Sequence, residues 1–147
     1  MLSRAPTILV VDDTDVVRKS AARCLRHRGY RVLEASSADE ALVVLDTEGA
    51  GLDMILADLV LPTMCGVELV AEARRRFPAL ATAYMTGHLG KSARCEVSPD
   101  SATPLLVKPF TPHVLDEYVR EALLQSGWTS VSDPDAAGLD TSRYGSH

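Results

Sequence analysis

Four short apolar runs in this sequence each give way to side chains suited to chemistry. Thr7 to Val11 is followed by Asp12 and Asp13, Asp53 to Ala57 by Asp58, Ala81 to Met85 by Thr86, and Pro104 to Val107 by Lys108. Three carboxylates brought together repel one another by up to about 4 kcal/mol per close pair at an effective dielectric of about 20. Such a cluster is tolerable only beside a cation, and oxygen donors with neither histidine nor thiolate among them suit Mg²⁺. Lys108 would add a point positive charge and Thr86 a hydroxyl donor, completing a pocket able to hold a phosphoryl group next to a metal. Each residue also has an ordinary role open to it. Asp12 or Asp13 can cap a helix, Asp58 can make a turn, Thr86 can bond its own backbone, and Lys108 can reach to solvent.

Bringing these residues to one rim requires a particular fold. Apolar runs alternating with helical patterns predict a parallel sheet covered on both faces. The predicted strands are the four runs above and Tyr30 to Ala35. Val17, Ala21 and Leu25 recur at helical spacing in a helix from about Thr14 to Arg28, which Gly29 stops. Ser37 and Glu40 form a capping box before a second helix through Ala41, Leu42 and Leu45. Val70, Ala73 and Phe77 mark a third helix, ended by Pro78. Thr111 and Pro112 open a last one, striped by Leu115, Tyr118, Val119, Ala122 and Leu123. The fold class is therefore α/β, with a doubly wound five-stranded parallel sheet; in such a sheet of flavodoxin-like order, 2-1-3-4-5, ligands gather at the carboxyl ends of the strands. Gly90 and Pro99 interrupt the stretch from Gly87 to Thr103, so the fourth βα unit is predicted to carry a degenerate helix. Residues 6–125 form one domain, and 126–147, rich in Gly, Ser, Thr, Asp and Pro, read as a disordered tail on which Trp128 either docks back or stays exposed.

The whole chain of 147 residues carries a net charge of −5 with 46% hydrophobic residues, an ordinary globular balance. That charge argues against direct nucleic-acid binding, and Arg74, Arg75 and Arg76 suit the end of a helix. Neither a membrane-spanning stretch nor a signal peptide is evident, and Cys24, Cys65 and Cys95 are odd in number without CxxC spacing. Reduced thiols in a cytoplasmic protein are the expectation. The histidines and cysteines show no metal-ligand spacing.

Val10-Val11-Asp12-Asp13, Asp58 with Leu61-Pro62 and Gly66 behind it, Met85-Thr86-Gly87, and Lys108-Pro109-Phe110 resemble the receiver domain of two-component response regulators. The likeness covers roughly residues 6 to 125, and it lies in four separated motifs in the right order. It implies that Asp58 is the phosphoacceptor, attacking the phosphohistidine of a sensor histidine kinase or phosphotransfer protein. It implies Mg²⁺ held by Asp12, Asp13, Asp58 and the backbone carbonyl of Val60. Lys108 and Thr86 would contact the phosphoryl oxygens, and the Lys108–Pro109 bond is open to a cis form. The resemblance points to a signalling module acting by partner binding or phosphorelay, with slow self-dephosphorylation and no turnover chemistry. The downstream target stays unnamed.

Three departures stand out. Leu105 replaces an aromatic common in such domains, Cys65 replaces an acidic residue before Gly66, and apolar Val60 stands where a polar side chain can help to orient hydrolytic water, so self-dephosphorylation is expected to be slow unless His88 positions the water instead. Two rival functions remain. Asp13-x-Asp15-x-Val17 fits the nucleophile motif of a small haloacid-dehalogenase-type phosphohydrolase, with Asp13 attacking. A degenerate receiver serving as a constitutive scaffold would ignore Mg²⁺.

Overall fold

In a computed structural model, residues 5–87 and 103–128 are described. Five strands, β1 (Thr7–Val11), β2 (Arg31–Ala35), β3 (Met54–Asp58), β4 (Ala81–Thr86) and β5 (Leu105–Val107), form one sheet in the order β2-β1-β3-β4-β5. All four pairings are parallel, with Leu9 opposite both Leu33 and Ile55. The order reverses between β1 and β3, so their carboxyl ends open a crevice. The expected architecture is the observed one.

Helices α1 (Asp15–His27), α2 (Ala38–Glu48), α3 (Gly66–Arg76) and α4 (Pro112–Gln125) cover both faces, and a 3₁₀ turn at Gly49–Gly51 follows α2. Successive strand residues point to opposite sides. Ile8, Val10, Leu56, Ala83 and Met85 accordingly pack with Ala21 and Leu25 of α1 and Leu115, Val119 and Leu123 of α4. Leu9, Val11, Ile55, Ala57 and Tyr84 pack with Ala41 and Leu45 of α2 and Leu69 and Val70 of α3. Burial on both sides explains why β1 and β3 read as apolar runs up to the aspartates that end them, whereas β4, buried as well, has Thr82 in its interior.

The helix ends follow local chemistry. Gly29, at φ +97°, takes the left-handed turn after α1 that residues with a Cβ avoid. Ser37 Oγ accepts the Glu40 N–H at 3.1 Å, but the Glu40 carboxylate turns back to the Ser36 N–H and hydroxyl, so the expected box closes one residue early. Thr111 Oγ1 accepts the Val114 N–H at 3.1 Å, as the Thr-Pro start predicts. Trp128 takes the first of its two options: it packs on the α1–α4 side of the core and donates its backbone N–H to Leu123. The degenerate helix expected between Gly87 and Thr103 and the tail from 129 onward fall outside the described residues, as do His88 and Cys95.

Candidate functional site

The crevice at the order reversal is acidic. Asp12 follows β1 directly and is fully buried, Asp13 beside it is exposed, and Asp58 is the last residue of β3. One carboxylate oxygen from each lies within 4.8 Å of the others. Lys108, one residue beyond β5, reaches across the sheet end. Its Nζ donates to Asp12 Oδ2 at 2.7 Å and to Asp58 Oδ2. The lysine side chain is only 16% exposed, so it does not reach to solvent.

The backbone explains the aim. The N–H of Lys108 donates to the carbonyl of Thr86, which continues the β4–β5 ladder by one residue and turns the lysine toward the pocket. The Lys108–Pro109 peptide is cis. Thr86 itself is buried at the end of β4. Behind Asp58, the Leu59 N–H bonds the Met85 carbonyl and the Gly66 N–H bonds the Leu59 carbonyl at 2.8 Å. The contact at Gly66 leaves no room for a side chain: a Cβ there would lie 2.0 Å from the Asp58 carbonyl oxygen. Only glycine lets the start of α3 close on β3 this tightly.

One of the ordinary roles weighed from the sequence is also realised, the turn at Asp58, whereas Asp12 makes a turn of the same kind instead of capping α1, whose N-cap is Thr14 without a side-chain cap bond. Asp12 Oδ1 accepts the Thr14 N–H and Asp58 Oδ1 accepts the Val60 N–H, each at 2.8 Å. Each carboxylate is therefore split, with one oxygen fastened to the backbone two residues on and the other turned to Lys108. Burial pushes the Asp58 carboxyl above the usual aspartate range and the Asp12 charge adds to this, against the opposing pull of Lys108 and the Val60 N–H. Burial disfavours the Lys108 ammonium, but hydrogen bonds and charge from Asp12 and Asp58 outweigh it and hold its pKa above the ordinary lysine value. The donor set is all oxygen and doubly acidic at close range, which fits a hard divalent cation.

Asp15 is not part of this set. It opens α1, and its carboxylate is held by Arg18 at 2.7 Å, which leaves Asp13 without the second acid that a hydrolase motif needs. Arg18 escaped the sequence reading; a cation three residues before Ala21 and seven before Leu25, on a stripe otherwise apolar, was the available signal. A basic face was also passed over, because only Arg74 to Arg76 are contiguous. Lys19, Arg23, Arg26 and His27 line a groove of about 530 Å³ along α1 with Glu34. Cys65, the residue preceding α3, is disulfide-bonded, whereas Cys24 is a free thiol. This corrects the expectation of reduced thiols throughout: pairing depends on close approach in space, which linear spacing does not encode.

Comparison with known proteins agrees with this geometry. The model of the response regulator receiver domain family matches residues 8–120. Sensor kinase CckA of Brucella abortus (strain 2308) is 34% identical over 122 residues, covering 83% of this chain and 13% of that protein. Chemotaxis protein CheY1 of Helicobacter pylori (strain J99) is 34% identical over 119 residues, covering 79% of this chain and 95% of that one. The crystal structure of a CheY-like receiver domain protein from Methanospirillum hungatei JF-1 superposes with a TM-score of 0.71 at 29% identity, covering 84% and 98% of the two chains. Of CckA and two transcriptional regulatory proteins, DctD and HoxA, the chain spans only 13% to 26% of the length. A sheet of this order, an acidic crevice at its reversal and a family match across most of the chain converge: this chain belongs to the response regulator receiver domains of two-component signalling systems.

Proposed function

We propose that this receiver takes a phosphoryl group onto Asp58 from a phosphohistidine of a histidine kinase or phosphotransfer protein. The observation that carries the proposal is the Lys108 ammonium bridging Asp12 and Asp58 beside Asp13. Receiver domains pair with such donors and bind Mg²⁺ at an acidic pocket; here Asp12, Asp13, Asp58 and the Val60 carbonyl would hold it. When bound, Mg²⁺ supplies positive charge that offsets the charge on the phosphoryl oxygens.

The chain's own residues do the rest. An Asp58 oxygen forms a bond to phosphorus as the phosphorus–nitrogen bond to the donor imidazole breaks, and the departing nitrogen keeps the electron pair and takes up a proton. The Val60 N–H holds the other side of the carboxylate in place. Lys108 needs only a small swing from Asp58 Oδ2 to reach a phosphoryl oxygen, and its raised pKa keeps it charged throughout. Thr86, at the neighbouring strand end, supplies a hydroxyl to the same group and moves with it. The module then acts through a partner or passes the group on. With Val60 apolar, the acyl phosphate is predicted to hydrolyse slowly.

The test is incubation with acetyl phosphate and Mg²⁺, followed by intact mass and peptide mapping. One PO₃ unit on Asp58, absent from Asp58→Asn and without Mg²⁺, is the expected result. Label on Asp13 would favour the hydrolase reading instead, and no label together with indifference to Mg²⁺ would favour the scaffold.

A further inference from the structure

We infer that Arg18 is the positioning residue of the acidic pocket, holding the loop that carries Asp12 and Asp13 in the geometry that binds the cation; this rests on the reading of the pocket given above. Arg18 is 7% exposed although it is a cation in the second turn of a surface helix. Its guanidinium spreads over three different elements. Nη1 donates to the backbone carbonyl of Asp12 at 3.0 Å, Nη2 to Asp15 Oδ1 at 2.7 Å, and Nε to Glu34 Oε1 of β2 at 3.2 Å.

The contact with Asp12 is the informative one. A link between α1 and β2 needs only Glu34, and Arg26 already supplies a second through Glu34 and the Val32 carbonyl. The Asp12 carbonyl sits where the β1 ladder ends: its own N–H reaches Ala35, but the chain of β2 leaves the sheet there. Arg18 satisfies that carbonyl. Asp12 is then fastened at its N–H by Ala35, at its C=O by Arg18 and at Oδ1 by the Thr14 N–H. When Lys108 turns from Oδ2 to a phosphoryl oxygen, these three fixings remain, and Oδ2 stays directed into the crevice. The acceptors lie around one planar fork, which a lysine's single point charge cannot match.

The test compares wild type with Arg18→Lys and Arg18→Gln, measuring Mg²⁺ affinity by calorimetry and the urea midpoint in EDTA. Positioning predicts that both variants bind Mg²⁺ about tenfold more weakly, the usual scale for losing an outer partner of a metal ligand. It also predicts that the amide signals of Asp12 to Thr14 shift in the metal-free protein. The inference is overturned if Arg18→Lys binds as wild type while Arg18→Gln binds more tightly, since Arg18 would then act by charge alone. It is equally overturned if both variants lose only urea resistance at unchanged affinity. Should the Arg18 variants fail to fold, Asp15→Asn frees one side of the guanidinium from an exposed partner; weaker Mg²⁺ binding that persists at high salt, with shifted Asp12 to Thr14 amide signals, supports the inference, and unchanged binding or a loss that salt abolishes refutes it. Wild type that binds no Mg²⁺ would instead refute the reading of the pocket itself, and the inference with it.

Discussion

Replacing Lys108 with methionine tests the electrostatics of the pocket directly. The stem is nearly conserved in length, so the change removes one positive charge and little packing. Carboxylate oxygens of Asp12, Asp13 and Asp58 lie within 4.8 Å of one another, and two unit charges at that separation repel by about 3.5 kcal/mol at an effective dielectric of about 20. Lys108 now offsets this at two of the three acids. Without it, Asp58, whose pKa is already raised by burial, relieves part of the repulsion by taking up a proton. The expected loss at neutral pH in EDTA is therefore about 3 kcal/mol, the lower end for breaking a buried ion pair. For a domain of this size that is a fall in melting temperature of roughly 6–12 °C. Thermal and urea melts in EDTA and in saturating Mg²⁺ measure it. Because Mg²⁺ bound as proposed would restore positive charge at the same carboxylates, the gap between variant and wild type should narrow sharply when it is added. A deficit of equal size with and without Mg²⁺ would refute the reasoning, since the lysine would then matter through its stem.

Further outcomes follow from the same contacts. Asp58→Asn removes one of three like charges, so it should melt a few degrees above wild type in EDTA while losing most of its Mg²⁺ response; calorimetric scans in both buffers decide it. Gly66→Ala places a Cβ against the Asp58 carbonyl and should cost about 1–3 kcal/mol in a urea melt, with slower labelling by acetyl phosphate because Asp58 itself must shift. Tyr30, half-buried and facing Asp116 with its hydroxyl at 3.1 Å, should ionise only at about 12 in a spectrophotometric titration. A raised phenol pKa contributes stability that is complete below about pH 10, the usual tyrosine value, and disappears as pH climbs through the raised one. Tyr30→Phe should therefore lose about 1 kcal/mol at neutral pH and show a flatter decline between those limits.

Much of this was legible from residue order alone, and the reasons differ by element. Strands β1 and β3 were plain because burial on both faces leaves an apolar run ending at the first charge, so Asp12 and Asp58 marked their own positions. Lys108 was found by the same logic, although the short β5 gives a weaker signal. Arg18 was not found, because helical periodicity scores a buried arginine as a polar break in the stripe. The segment around Leu105 displays the missing aromatic, but not what accompanies it. The strand register sets Tyr84 of β4 directly opposite Leu105, in the same apolar cluster, so the bulk stands on the neighbouring strand. Register is a product of the whole sheet, and no single segment displays it.

An aspartate that makes a turn at this site is also one aimed into the crevice, so the turn and the proposed chemistry do not exclude each other. A carboxylate free to rotate would spread its two oxygens over many directions, and gathering three such groups would cost rotamer entropy as well as repulsion. Here the Thr14 and Val60 N–H groups each take one oxygen of a carboxylate, which leaves the second a single direction, toward Lys108 and the crevice. The local turn is the device that aims the functional atom. Because both turns use backbone N–H groups, they persist whether the crevice holds the lysine or a metal ion. Reorganisation on exchange then falls to the Lys108 side chain, whose flexible stem makes it the cheapest group in the pocket to move.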